Sequence, residues 1–144
     1  MKVGTKRRQE AAGLTGERVQ DWMSPTVVAS PEETVRAALE LMLEHRTGHV
    51  LVMEGPRLVG IVSNRDVIRT TARNPERRLD LGCALRDIMT PQPLLSTHPE
   101  ESVLEAARQM HAARINALPV MRAGRVEGLL SSGDVLRAAT RGSG

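Results

Sequence analysis

The sequence is poor in aromatic side chains and in cysteine. It has no Phe, no Tyr and one Trp, Trp22. The core must therefore be aliphatic, and the stacking platforms that hold single-stranded nucleic acid are missing. The one cysteine, Cys83, excludes an internal disulfide and gives no reason to expect an oxidising compartment. No apolar run is long enough to span a bilayer, and no apolar signal core follows the initial Met-Lys-Val-Gly-Thr-Lys-Arg-Arg. A cytoplasmic protein without a membrane segment is expected. His45, His49, His98 and His111 show no repeated metal-ligand spacing, and Cys83 has no histidine near it in sequence. The serines that have acids nearby lack an evident base, as a catalytic triad would require. Neither catalysis nor a metal site is expected.

What is present is enough for a packed domain. The chain has 144 residues, 40% of them hydrophobic, and a formal net charge of +3. That length suits one ordinary domain with a real core. The cations are dispersed except for Lys2, Lys6, Arg7 and Arg8, which lie in a Gly-containing stretch without apolar period. Residues 1–16 read as a flexible basic arm. Nucleic-acid binding through that arm is the weakest of the functional alternatives, because a sequence-independent phosphate grip needs several clustered cations.

One stretch organises the rest. Gly60-Ile61-Val62-Ser63-Asn64-Arg65-Asp66 returns 68 positions later (60 to 128) as Gly128-Leu129-Leu130-Ser131-Ser132-Gly133-Asp134. Each copy runs from an apolar strand pattern into a helical one, with an acid three residues after the Ser. That spacing is a capping box, which needs no ligand. The same spacing puts a hydroxyl and a carboxylate at a helix N-terminus, where free N–H groups and the helix dipole favour a phosphate. An acid there can also accept both hydroxyls of a ribose.

Much of the chain repeats around that motif. Val19 to Pro25 reads as a helical turn stopped by proline, and Leu85 to Pro91 copies it at an offset of 66 (19 to 85). Ser30-Pro31-Glu32-Glu33 reads as a helix start, with Ser30 as N-cap and the helix running to about His45 until Gly48 ends it. Val35, Ala38, Leu39, Met42 and Leu43 form its apolar face. Pro99-Glu100-Glu101-Ser102-Val103 repeats this start with His98 in place of Ser30, which predicts a weaker second helix. Val50-Leu51-Val52-Met53 and Leu58 to Val62 read as a hairpin around Gly55-Pro56. A helix from about Asn64 to Ala72 follows, stopped by Asn74-Pro75, and the stretch after it holds a Leu79-Asp80-Leu81 interlude. The organisation is an arm at 1–16, repeats at 17–73 and 85–140, a linker at 74–84 and a tail at 141–144. Each repeat is a strand, helix, strand, strand, helix unit with an apolar sheet face to cover.

On Asp-Trp-Met-Ser-Pro, Asp-Ile-Met-Thr-Pro, Ala117-Leu118-Pro119-Val120 and the two Gly-x-x-Ser-x-x-Asp elements, the sequence resembles a stand-alone tandem pair of CBS domains, the regulatory module named after cystathionine β-synthase. The resemblance covers about Glu17 to Thr140. It implies an α/β (α+β) fold of two pseudo-symmetric β-α-β-β-α repeats packed through their sheets. It also implies two clefts for adenosyl ligands such as AMP, ADP, ATP or S-adenosylmethionine, with no cofactor required. Asp66 and Asp134 would accept ribose hydroxyls, Ser63 and Ser131 would lie near ribose or phosphate, and Val50, Val62, Leu118 and Leu130 would wall the base. A homodimer and an unidentified regulated protein are the implied partners.

The copies differ. Arg65 stands where the second copy has Gly133, and His49 where it has Ala117. The resemblance places Arg65 where a side chain can reach phosphate and His49 facing the cleft, so the Asp66 site is expected to prefer phosphorylated adenosines and the Asp134 site to be weaker or to suit a less charged ligand. Leu51 replaces the proline that Pro119 supplies, which alters the shape of the first site. The competing reading is a partner-docking or dimerisation module that binds no nucleotide.

Overall fold

A computed structural model of the chain describes residues 14, 16–74, 76 and 80–142. Most of the basic arm, Pro75 and Leu79 in the linker, and the end of the tail lie outside the described residues.

In chain order, a single helical turn α1 (Val19–Trp22) precedes the short strand β1 (Val28–Ala29) and the helix α2 (Val35–His45). Here the structure corrects the sequence reading. The N-cap of α2 is Thr34, whose hydroxyl accepts the Ala37 N–H at 3.2 Å, and not Ser30. Ser30 instead opens a turn, its N–H donating to the Glu33 carboxylate at 2.6 Å. The helix needs no earlier start, because the N–H groups of Val35 and Arg36 already donate to the carbonyls of Cys83 and Leu81. Its far end is Arg46 in the left-handed region (φ 52°), two residues before the Gly48 expected there. The buried stripe is Val35, Ala38 and Met42, with Leu39 packed beside it, whereas Leu43 is 80% exposed.

The hairpin forms as expected, with β2 (His49–Glu54) and β3 (Arg57–Ser63) joined by Gly55-Pro56. Then follow α3 (Asn64–Arg73), a second short helix α4 (Leu85–Ile88), the strand β4 (Thr90–Pro91) and the helix α5 (Val103–Ala113). Ser102 caps α5 by accepting the Glu105 N–H at 3.1 Å. His98 is therefore not at the cap, and its lack of a hydroxyl does not weaken this helix. The strands β5 (Ala117–Arg122) and β6 (Arg125–Ser131) and the helix α6 (Ser132–Gly142) complete a mixed α/β fold with two sheets and two tandem repeats.

Two compact units arise, and they do not share the boundaries of the repeats. One is Thr26–Leu94; the other joins the described residues up to Pro25 to those from Leu95 onward. In the first, the sheet order is β1-β2-β3-β4, with β1 parallel to β2 and the other pairs antiparallel. In the second, β5 and β6 pair antiparallel, and isolated bridges from Ser24 to Leu129 and from Thr97 to Val120 stand where β4 and β1 stand in the first.

The short helices explain the exchange. Four residues make no stable helix alone, so each is tied to the loop before a long helix. Leu85 and Arg86 N–H groups donate to the Glu33 and Pro31 carbonyls, and Val19 and Gln20 N–H groups to those of Glu101 and Pro99. Leu85, 0% exposed, joins the apolar cluster of Ala38, Met42, Val50, Val52 and Val62. Val19, also 0% exposed, joins that of Ala106, Met110, Leu118, Val120 and Leu130. Burying such a side chain contributes roughly 1.5–3 kcal/mol.

Close approach fixes the glycine in each motif. A Cβ on Gly60 would lie 2.5 Å from the Met89 sulfur and 2.9 Å from the Thr90 carbonyl oxygen; one on Gly128 would lie 2.8 Å from the Met23 sulfur and 3.1 Å from the Ser24 carbonyl oxygen. The sulfurs can swing away, but the backbone oxygens cannot. Gly60→Ala and Gly128→Ala should each lower unfolding free energy by about 1–3 kcal/mol in chemical denaturation. Alanine is otherwise the better strand residue, so unchanged or raised stability would mean that the close approach is no constraint.

Candidate functional site

Each strand-to-helix turn is built from the backbone outward. The N–H of Asn64 donates to the Gly48 carbonyl, and the N–H of Ser132 to the Asn116 carbonyl, at 2.9 and 2.8 Å. These bonds lock the start of the helix to the strand opposite.

In the unit Thr26–Leu94 the capping box is complete. Ser63 Oγ accepts the Asp66 N–H at 3.1 Å, and Asp66 Oδ2 accepts the Ser63 N–H at 2.8 Å. Asp66 is 8% exposed. Among the described residues its second oxygen, Oδ1, has only a long contact of 3.5 Å from Arg69. The Ser63 hydroxyl accepts here and keeps its own proton to donate. Arg65 is exposed on the first turn of α3.

The other unit uses the same box and adds to it. Ser131 Oγ accepts the Asp134 N–H at 3.3 Å, and Asp134 Oδ2 accepts the Ser131 N–H at 2.8 Å and the Ser131 hydroxyl at 3.0 Å. Asp134 Oδ1 accepts the Ser24 hydroxyl at 3.1 Å and is ion-paired with Arg137. Asp134 is 1% exposed.

Each turn thus gathers its own hydroxyl and carboxylate: Ser63, Arg65 and Asp66 with His49 across the hairpin, and Ser131 with Asp134. His49 pairs with Ser63 in register. Val50, Val62, Leu118 and Leu130 are each 0% exposed and belong to the apolar clusters beneath the turns. Sequence reasoning missed Ser24, Arg69 and Arg137. The two arginines were open to it, since each stands three residues after its Asp on a helix face. Ser24 offered no such signal, being separated from Asp134 by most of the chain.

Burial holds the His49 imidazole below the ordinary histidine value; the Asp66 carboxylate opposes that and the Arg65 guanidinium reinforces it.

Comparison with known proteins then bears on these turns. The sequence model of one family, the CBS domain, matches residues 19–73 and 85–141. The CBS domain-containing protein YhcV of Bacillus subtilis is 29% identical over 119 residues, 81% of each chain. Among solved structures, CBSX2 in complex with AMP, a protein of Arabidopsis thaliana, has a TM-score of 0.72 at 31% identity, covering 88% of this chain and 98% of that one. The CBS domain pair of protein MJ0100, in complex with 5-methylthioadenosine and S-adenosyl-L-methionine, has a TM-score of 0.73 at 27% identity, covering 83% and 93%.

The His49 shift has a consequence for pH. Above the ordinary histidine value the imidazole is neutral folded and unfolded. On acidification the unfolded chain takes up the proton first, so stability falls as pH drops through the lowered folded value. Denaturation between pH 7.5 and 5 should show this loss, and His49→Gln should remove the His49 part of it. An unchanged slope in that variant would show that the histidine is not held neutral.

Proposed function

The chain belongs to the CBS domain family, and from that premise we propose that it is a non-catalytic regulatory module whose strand-to-helix turns bind an adenosyl ligand, AMP, ADP, ATP or S-adenosylmethionine. The observation that carries this reading is the duplicated turn, in which a nearly buried carboxylate and a serine hydroxyl stand together at a helix N-terminus. A carboxylate makes strong charge-assisted hydrogen bonds to adjacent hydroxyls, as a ribose presents. The N-terminal dipole and the free proton of Ser63 suit a phosphate.

In this reading Asp66 and Asp134 take ribose hydroxyls, Ser63 and Arg65 serve the phosphate, and His49 lies at the rim. Val50, Val62, Leu118 and Leu130 support the strand ends from within the cores. The hydrogen bonds of the serine hydroxyls among the described residues are those of helix caps, Ser63 Oγ accepting the Asp66 N–H and Ser131 Oγ donating to Asp134, which is what a sensing role needs. The AMP-bound and S-adenosyl-L-methionine-bound relatives support the ligand class. A homodimer completes the proposal. It is supported by Leu43, Ile68 and Leu136, exposed at 80%, 68% and 67% on three helices. A cytoplasmic setting and a regulated partner protein belong to the same reading.

A thermal-shift screen against AMP, ADP, ATP and S-adenosylmethionine tests it. A ligand at a hundred times its Kd adds about 2.7 kcal/mol to stability by mass action, enough for a rise of several degrees. Asp66→Asn should diminish that rise for the phosphorylated ligands, and Arg65→Ala should lower AMP affinity more than adenosine affinity. A folded protein whose melting temperature moves with none of them refutes the reading and leaves the turns as helix caps.

A further inference from the structure

The two carboxylates differ in how much hydrogen-bonding capacity they have left. An ionised carboxylate offers about four lone-pair sites. Asp134 meets four donors, namely the N–H of Ser131, the hydroxyls of Ser131 and Ser24, and the Arg137 guanidinium. Among the described residues Asp66 meets two, the N–H of Ser63 and, at 3.5 Å, Arg69. One carboxylate is saturated from within the chain and the other is half free.

Ser24 makes the difference that the repeat would not predict. Its counterpart by position is Thr90, and the backbones match: Ser24 bridges Leu129 as Thr90 bridges Ile61. Thr90 carries a hydroxyl too, yet among the described residues only Ser24 is bonded to the cap carboxylate. The turn bearing Ser24 is anchored by its neighbour Trp22, whose indole N–H donates to Glu17 at 2.8 Å and whose ring lies under the Arg141 guanidinium at 5.5 Å. The serine is therefore held at the carboxylate and does not sample it from a loose end.

We propose that Ser24 is a specificity-determining residue: its hydroxyl occupies Asp134 Oδ1 in the manner of a ligand hydroxyl, so that the Asp66 turn takes the adenosyl ligand first and the Asp134 turn takes it only once Ser24 is displaced. This rests on the functional reading above and adds to it what holds back the turn already expected to be the weaker.

The test is calorimetric titration of the full chain with AMP, paired with the emission of Trp22, the only tryptophan and two residues from Ser24. The unmodified chain should show one binding event per chain, lost in Asp66→Asn. Ser24→Ala should add a second event, or strengthen a weak one by about tenfold, the worth of one such hydrogen bond. That event should alter Trp22 emission and survive in Ser24→Ala combined with Asp66→Asn. Ser24→Cys, close in size and a weak donor, should fall between; the melting temperature and emission maximum of each unliganded variant establish that it is folded. Two equal events in the unmodified chain overturn the proposal. So does a second event that Ser24→Ala leaves unchanged or weakens, since Ser24 would then be a bystander or a ligand contact. Those outcomes leave the adenosyl reading standing, whereas no heat and no emission change in any variant overturns both.

Discussion

A carboxylate removed from water must be met by donors, and this requirement shapes both halves of the molecule. Asp66 and Asp134 are nearly or wholly buried, each against the first turn of a helix. Apart from Ser24, which reaches Asp134 from far along the chain, their donors come from the end of the preceding strand and from the helix itself, which ties the strand's end to the helix's start. The glycine three residues before each serine lets a short helical turn lie against the strand. Move the carboxylate by one position and the reciprocal cap bonds between Ser and Asp would be lost.

Much of this was legible in the sequence because it depends on local spacing. The hairpins follow from apolar runs around a turn pair, the helices from three- and four-residue periodicity, and the capping boxes from Ser-x-x-Asp. The misreadings were of two kinds. Ser30 satisfied every local rule for a helix cap, yet Thr34 took the role because distant carbonyls of Leu81 and Cys83 receive the first helical N–H groups. Leu43 matched the apolar period but lies off the stripe that the sheet covers. Long-range partners also account for what was not foreseen at the site: nothing near Asp134 in sequence announces Ser24.

Duplication supplies two similar turns, and small substitutions then make them unequal. Arg65 and His49 stand near one carboxylate, where the other turn has Gly133 and Ala117. The chain fills that second carboxylate with its own serine and arginine. On the proposed function, a repeat protein would in this way keep a polar turn as structure in one copy and as a binding element in the other without altering the fold.

The exchange of the short helices also dictates an order of assembly. Thr26–Leu94 is continuous, and its contacts can form as soon as that stretch leaves the ribosome. The other unit needs α5, β5 and β6 for its apolar cluster, so Val19 and Trp22 remain without those partners through most of synthesis. Closing so long a loop costs entropy before any contact repays it. The early unit thus serves as the covalent tether between the first and last parts of the other, and a chain cut short before α5 would leave Val19 without Ala106, Met110, Leu118, Val120 and Leu130, as exposed apolar surface.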